Sequence, residues 1–235
     1  MASATDTLTL FDIDGTLLRA PDEVHLDAFE HALRAVFGVP AVVRGRPLAG
    51  RLDRVIAREA LADCGISAAD ADRKLGAVVA TMGRYYSLRV GAGDRESWVL
   101  PGVVELLRKL RAGGLAAAVV SGGAAPVAKA KLSAARLDEH LVAGAYGDQA
   151  DERAELVALA VTAASEVLGR RHLAAHAVVI GDAPGDVAAA RAAGARVIAV
   201  ATGRFGIDEL AELGPDAVFA DLSNPDAVLR VIRQA

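Results

Sequence analysis

Beyond Leu100-Pro101-Gly102 the chain alternates short apolar runs with longer amphipathic ones, and this alternation restricts the fold more than any other feature. The periodicity predicts helices over 103–111, 125–132, 153–168 and 184–193, interleaved with strands over 116–120, 141–146, 177–180 and 197–201. A short helix near Asp208, a strand over 217–219 and a last helix to Gln234 complete the series. Runs such as Ala177-Val178-Val179-Ile180 are apolar without a break, as strands buried on both faces are. Such strands, alternating with helices, predict a parallel sheet covered on both sides.

The same sheet accounts for Leu8-Thr9-Leu10-Phe11, a short strand stopped by Asp12 and Gly15. Between these two parts the period is helical. Val24, Ala28, Leu33, Val36 and Phe37 share one face of a helix capped by Asp22 and ended by Gly38 and Pro40. Two more helices are expected over 52–63 and 69–90, the second opened by Ser67. The fold class is therefore α/β, a doubly wound parallel sheet of Rossmann-like form with an inserted helical region. The boundaries expected are 1–16 and 98–235 for the α/β core and 17–97 for the insertion.

Composition matters for what it excludes. The formal net charge is −4 with both signs mixed along the chain, which gives no clustered basic surface for nucleic acid and argues against a membrane-surface role. A single cysteine, Cys64, rules out an internal disulfide and fits a reducing, cytoplasmic setting. Cys64 itself reads as a small buried hydrophobe. No apolar run approaches the roughly 18 residues of a membrane span, and Met1 to Thr7 does not read as a signal peptide.

In a doubly wound sheet, ligands gather beyond the carboxyl ends of the strands. Those ends carry Asp12-Ile13-Asp14-Gly15-Thr16, then Ser121-Gly122-Gly123, then Gly181-Asp182-Ala183-Pro184-Gly185-Asp186. Four carboxylates on one edge repel one another unless a cation neutralises them, and an all-oxygen set suits magnesium. Ser121 and the glycines after it offer a hydroxyl and backbone N–H groups at a helix N-terminus, a place for anionic oxygens. A hard metal beside an anion cradle points to phosphoryl transfer. An Asp-x-Asp-Gly string also occurs in calcium loops, but those need an acid or amide where Thr16 stands and glycine where Leu17 stands.

Asp12-Ile13-Asp14-Gly15-Thr16-Leu17 resembles the first motif of the haloacid-dehalogenase-like hydrolase superfamily. Val119-Val120-Ser121-Gly122 resembles its second motif, and Gly181-Asp182-Ala183-Pro184-Gly185-Asp186 its fourth. The order and spacing agree over essentially the whole chain, nearest to the phosphoglycolate-phosphatase-like branch, and make 17–97 a helical cap. The resemblance implies that Asp12 is the nucleophile and that Asp14 protonates the leaving oxygen, then deprotonates water. It implies magnesium held by Asp12, the Asp14 backbone carbonyl and Asp182, with Asp186 assisting. Ser121 and the Gly122 N–H would hold the phosphoryl group, and Thr16 belongs to the substrate side of the first motif. The acid at Asp14 disfavours a dehalogenase.

The third motif departs from the family pattern, which often has a Lys-Pro pair; here the segment runs Gly147-Asp148-Gln149-Ala150-Asp151-Glu152-Arg153. Arg153, opening a helix, is the candidate cation. Lys129 and Lys131 are its rivals, read as facing water on an exposed helix. In the cap, His25 and Arg51 are candidate substrate contacts and Arg46 and Arg54 join Arg51 in a basic cluster; Trp98, where the cap returns to the core, is a packing anchor. The expected activity is magnesium-dependent hydrolysis of a small phosphate ester such as phosphoglycolate, a sugar phosphate or a nucleotide, by a monomer or homodimer. A phosphomutase and a catalytically idle binding or regulatory protein are the alternatives. A phosphonate hydrolase would need a buried cap lysine, and Lys74, the only lysine in the cap, shows no sign of burial.

Overall fold

The computed structural model describes residues 7–234, so the reading of the N-terminus before Thr7 lies outside the described residues. The first strand, β1 (Leu8–Phe11), leads into α1 (Glu23–Phe37), α2 (Asp53–Ala62) and α3 (Ala68–Ser87). The alternating part then runs α4 (Val103–Ala112), β2 (Ala116–Ser121), α5 (Ala125–Ala134), β3 (Gly144–Tyr146), α6 (Arg153–Leu168) and β4 (Ala177–Gly181). It closes with α7 (Pro184–Ala192), β5 (Arg196–Val200), α8 (Ile207–Glu212), β6 (Ala217–Phe219) and α9 (Pro225–Arg233).

The six strands form one parallel sheet in the order β3-β2-β1-β4-β5-β6. The chain winds outward from β1 in both directions, so the order reverses between β1 and β4, where a crevice opens beyond the strand ends. Side chains alternate across the sheet with period two. Phe11, Val119, Ile180 and Ile198 face α4, α5 and α9, whereas Leu10, Ala118, Val120 and Val179 face α6 and α7. Both faces of the central strands are buried, which is why a strand such as β4 is apolar throughout.

Helices α1 to α3 build a third core from Phe29, Leu33, Ile56, Leu61, Met82 and Tyr86, and this core takes in Val127 and Ala134 of α5. Helix α5 therefore packs on the sheet with one side and on the helical insertion with the other. The caps follow the sequence: Asp22 accepts the Val24 N–H, Ser67 accepts the Asp70 N–H, and Gly38 ends α1 with φ of 72°. Cys64 is partly buried against the third core, and Trp98 packs at the edge of the first beside Arg95.

Some expected boundaries shift. Strand β3 begins at Gly144 rather than 141, because a 3-10 turn at Asp138–His140 delays the chain's entry to the sheet. Helix α3 stops at Ser87 rather than 90, where the Arg89 and Val90 N–H groups both turn back to the Tyr86 carbonyl. Among the described residues, no helix is long and apolar enough to cross a membrane.

Candidate active site

Register brings the strand-end residues together. Phe11 pairs with Ile180 on one side and with Val119 on the other, so Asp12 emerges between Gly181-Asp182 and Val120-Ser121. The Asp12 N–H still donates to the Ile180 carbonyl at 2.9 Å, which fixes its backbone as the last rung of the ladder. Gly15 then turns the chain with φ of 94°, a conformation that suits glycine.

Carboxylate oxygens of Asp12, Asp182 and Asp186 all lie within 4.8 Å of one another, and all three residues are buried. Missing side chains make room for them. A Cβ on Gly203 would stand 1.7 Å from Asp182 Oδ2, one on Gly15 2.4 Å from the same oxygen, and one on Gly181 2.4 Å from Asp186 Oδ2. Thr16 donates its hydroxyl to Asp182 Oδ1 at 3.2 Å; it is buried and supports this carboxylate rather than lining the cavity above. Asp186 also accepts the Ala183 N–H at 3.0 Å, at the start of α7.

Three carboxylates so close together and so dry strain against their own charge. Burial pushes the Asp12 carboxyl well above the ordinary range; the Arg153 guanidinium opposes that, and Asp186 and Asp182 add to it. Asp182 is pushed up to about 7, first by burial and then by Asp186, against the hydrogen bond from Thr16. A hard divalent cation would relieve this cost, and three buried carboxylates are oxygen donors of the kind such a cation takes.

Arg153 is not a solvated arginine. Its side chain is 8% exposed, with Nη2 2.8 Å from Asp12 Oδ1 and Nε 2.9 Å from Asp186 Oδ1. Burial alone would weaken its charge, but Asp186 and Asp12 more than offset that and hold it firmly protonated. It enters from the first residue of α6, where the sequence places it.

The Ser121 loop departs from expectation. Ser121 and Gly122 line the cavity, but the N–H groups that follow are already engaged. Gly123 donates to Ser121 Oγ, Ala124 to Asp53 Oδ2 and Ala125 to Asp148 Oδ1. The start of α5 is thus satisfied by acids from α2 and from the loop after β3. Gly122 lies against the helical insertion: a Cβ there would stand 2.0 Å from the Arg51 carbonyl.

Above the carboxylates lies a cavity of about 480 Å³. Its floor includes Asp12, Asp14, Ser121 and Arg153, and its far wall comes from the insertion, with Leu26, Phe29, Leu48 and Ile56 beside His25 and Arg51. Arg51 pairs with Glu59, Arg46 with Asp63, and Arg54 with Asp151 at 2.9 Å. Arg46 and Arg51 face the cavity; Arg54 does not. Arg204, on the loop after β5, also lines it.

Lys131 corrects the reading of α5. It is 2% exposed, not solvated, and its Nζ lies 2.6 and 2.7 Å from the two Asp14 oxygens and 3.1 Å from His25 Nδ1. His25 Nε2 lies in turn 3.0 Å from Asp53 Oδ2. The signal was in the period: Lys131 follows Val127 by four residues and so shares the buried face of α5. Lys129, its neighbour, is exposed, with its ammonium over the Tyr146 ring. Asp53, Asp148 and Gly203 carried no signal of their own, since an acid or a glycine at a turn is commonplace.

The pattern of the haloacid dehalogenase-like hydrolases matches residues 7–194. No curated protein matches the sequence significantly. Among solved structures, a hydrolase from Pseudomonas syringae superposes with a TM-score of 0.62 at 24% identity, over 95% of this chain and 98% of that one. A predicted phosphoglycolate phosphatase from Haemophilus somnus does so at 0.63 and 20%, over 97% and 99%. A beta-phosphoglucomutase from Clostridium difficile gives 0.63 and 13%, over 97% of each. At such identities these likenesses speak for the fold.

Proposed function

The chain belongs to the haloacid dehalogenase-like hydrolases, and from that premise we propose that it is a magnesium-dependent phosphatase acting on a small organic phosphomonoester. The observation that carries this reading is the buried trio Asp12, Asp182 and Asp186 at the reversal point of the sheet, with Arg153 bonded to two of its members.

In this reading the Asp12 carboxylate attacks phosphorus while the ester P–O bond breaks, and Asp14 delivers a proton to the departing oxygen. Water then gives a proton back to Asp14 and attacks the same phosphorus, releasing inorganic phosphate and restoring Asp12. Ser121 and the Gly122 N–H orient the phosphoryl oxygens. Arg153 offsets the charge that gathers between nucleophile and phosphate. Asp12, Asp182 and Asp186, with the backbone carbonyl of Asp14, would hold magnesium, which supplies neutralisation of charge on the transferring group. Residues 17–97 act as the cap: they wall the cavity with His25 among the lining residues, exclude water and read the leaving group through Arg51. The similarity of the fold to a predicted phosphoglycolate phosphatase and to a phosphoglucomutase is consistent with phosphoryl chemistry and leaves the substrate to experiment.

The test is inorganic phosphate release from a panel of small phosphomonoesters, with magnesium and with chelator, comparing wild type with Asp12→Asn. Magnesium-dependent release that the variant lacks supports the reading. No release from any ester by folded protein in magnesium would sink it.

A further inference from the structure

A buried lysine is costly unless its charge is paired and all its protons are accepted. Lys131 meets both conditions without help from solvent. Its ammonium has three protons and three acceptors: Asp14 Oδ1 at 2.6 Å, Asp14 Oδ2 at 2.7 Å and His25 Nδ1 at 3.1 Å. A second carboxylate, Asp22, feels the same charge through space. The side chain of Lys131 is 3% exposed, while that of Asp14 is 31% exposed and faces the cavity. The lysine therefore grips Asp14 from behind and leaves its front open.

The direction of each bond in this chain follows from elementary chemistry. An ammonium only donates, so His25 Nδ1 must accept, which leaves the ring proton on Nε2. That proton points to Asp53 Oδ2 at 3.0 Å. Asp53 Oδ2 also takes the Ala124 N–H at 2.8 Å, and the Asp53 N–H donates to the Gly122 carbonyl at 2.8 Å. The chain from Asp14 to Asp53 thus passes from the core through α5 into α1 and returns through α2 to the Ser121 loop. Each carboxylate oxygen of Asp14 keeps a lone pair beyond the one Lys131 occupies.

We propose that Lys131, clamped by His25 and Asp53, is the positioning residue that fixes Asp14 for proton transfer to the leaving group. The inference rests on the phosphatase reading of the site. In the step concerned, an Asp12 oxygen bonds to phosphorus, the ester P–O bond breaks, and one proton passes from Asp14 to the ester oxygen. Lys131 gives up no proton in this step; it receives the carboxylate that the transfer leaves behind and holds its plane. Docking of the insertion on the core then completes the acid, because His25 and Asp53 belong to the insertion.

An ester with a poor leaving group needs that proton, and one with a good leaving group does not, so the two respond differently if Lys131 acts through Asp14. The experiment measures kcat/KM in magnesium for glycerol phosphate and for p-nitrophenyl phosphate, in wild type and in Lys131→Met. This ratio reports the steps up to alcohol release and is blind to the later attack by water. The expected result is a loss on the order of 10²-fold for glycerol phosphate against a several-fold loss for p-nitrophenyl phosphate, since general acid catalysis is commonly worth that much. Equal losses on both esters, or none on either, would overturn the inference while the phosphatase reading stood. A wild type that cleaves neither these two esters nor any other of the panel would take both down.

Should Lys131→Met fail to fold, His25→Asn gives a second measurement, removing the imidazole clamp while leaving Lys131 on Asp14. It is expected to lose roughly tenfold on glycerol phosphate, with p-nitrophenyl phosphate changed less. An equal effect on the two esters counts against the inference here as well.

Discussion

Arg153 Nη2 stands 2.8 Å from Asp12 Oδ1, across 141 residues of sequence, and the two side chains are 8% and 9% exposed. An arginine in this position holds the carboxylates in a geometry that a lysine could not. Its fork reaches Asp12 and Asp186 together, with Nε and Nη2 in fixed relation, where a lysine offers one point charge.

Removing that fork strands two buried carboxylates. Arg153→Ala is expected to destabilise the metal-free protein by about 3–5 kcal/mol, the usual cost of breaking a buried pair. Under the proposed metal reading, magnesium recovers more stability in the variant than in wild type. Thermal melts of both proteins, with magnesium and with chelator, provide the four numbers. Arg153→Lys keeps the charge without the geometry and is expected to lose about 10²-fold in phosphate release.

Asp182 occupies space that a side chain on Gly203 would fill, with 1.7 Å between Asp182 Oδ2 and a Cβ there. Gly203→Ala therefore turns this carboxylate away from Asp12 and Asp186. Magnesium affinity, measured by the rise in melting temperature against ion concentration, is expected to fall by about 10–100-fold. An unchanged affinity would mean that Asp182 does not hold the ion.

At Gly122 the obstacle is the backbone of the insertion, since a Cβ would meet the Arg51 carbonyl at 2.0 Å and Arg153 Nη1 at 3.0 Å. Neither the α2 entry nor the guanidinium can give easily. Gly122→Ala is expected to cost about 1–3 kcal/mol in denaturant unfolding, as overpacking does, and to raise KM for any phosphate ester.

The buried pair Asp22 and Tyr86 gives a pH test away from the carboxylate trio. Tyr86 donates its hydroxyl to Asp22 Oδ2 at 2.6 Å. Burial by itself would raise the Asp22 carboxyl, but Lys131, the Tyr86 hydroxyl and Arg95 bring it below its ordinary value of 3.8. A depressed carboxyl contributes stability that is fully present above about pH 4 and is lost as pH falls through the folded-state value. Tyr86→Phe is expected to be less stable than wild type by about 1.5–3 kcal/mol at neutral pH. Urea unfolding at a series of pH values should show that gap narrowing below pH 3.8, as the charge on Asp22 disappears.

Local chemistry made much of this legible in advance. Unbroken apolar runs between amphipathic ones specified buried parallel strands and covering helices, and most boundaries fell within a few residues. The exceptions were 3-10 turns and helix ends, which single carbonyls such as that of Tyr86 decide. Asp12, Ser121 and Asp182 could be picked out because each stands at the end of a strand, and Asp186 because it opens the helix that follows β4; strand ends in such a sheet share one edge.

Lys131 shows the boundary between the two kinds of knowledge. Its spacing from Val127 put it on the packed face of α5, yet a lysine between Ala130 and Leu132 also reads as a solvated residue, and only its partner decides. That partner, Asp14, lies 117 residues away, and His25 lies 106 away. The sequence by itself determined the elements, their order and the acids at their ends, because hydrogen-bond periods and apolar spacing act over a few residues. The tertiary structure alone decided the register of Phe11 against Ile180 and Val119, the grip of Arg153 on two carboxylates, and the chain from Asp14 through Lys131 and His25 to Asp53. Those relations depend on how far apart packed elements stand. Charge pairing in a dry interior falls steeply with that distance, which no local pattern records.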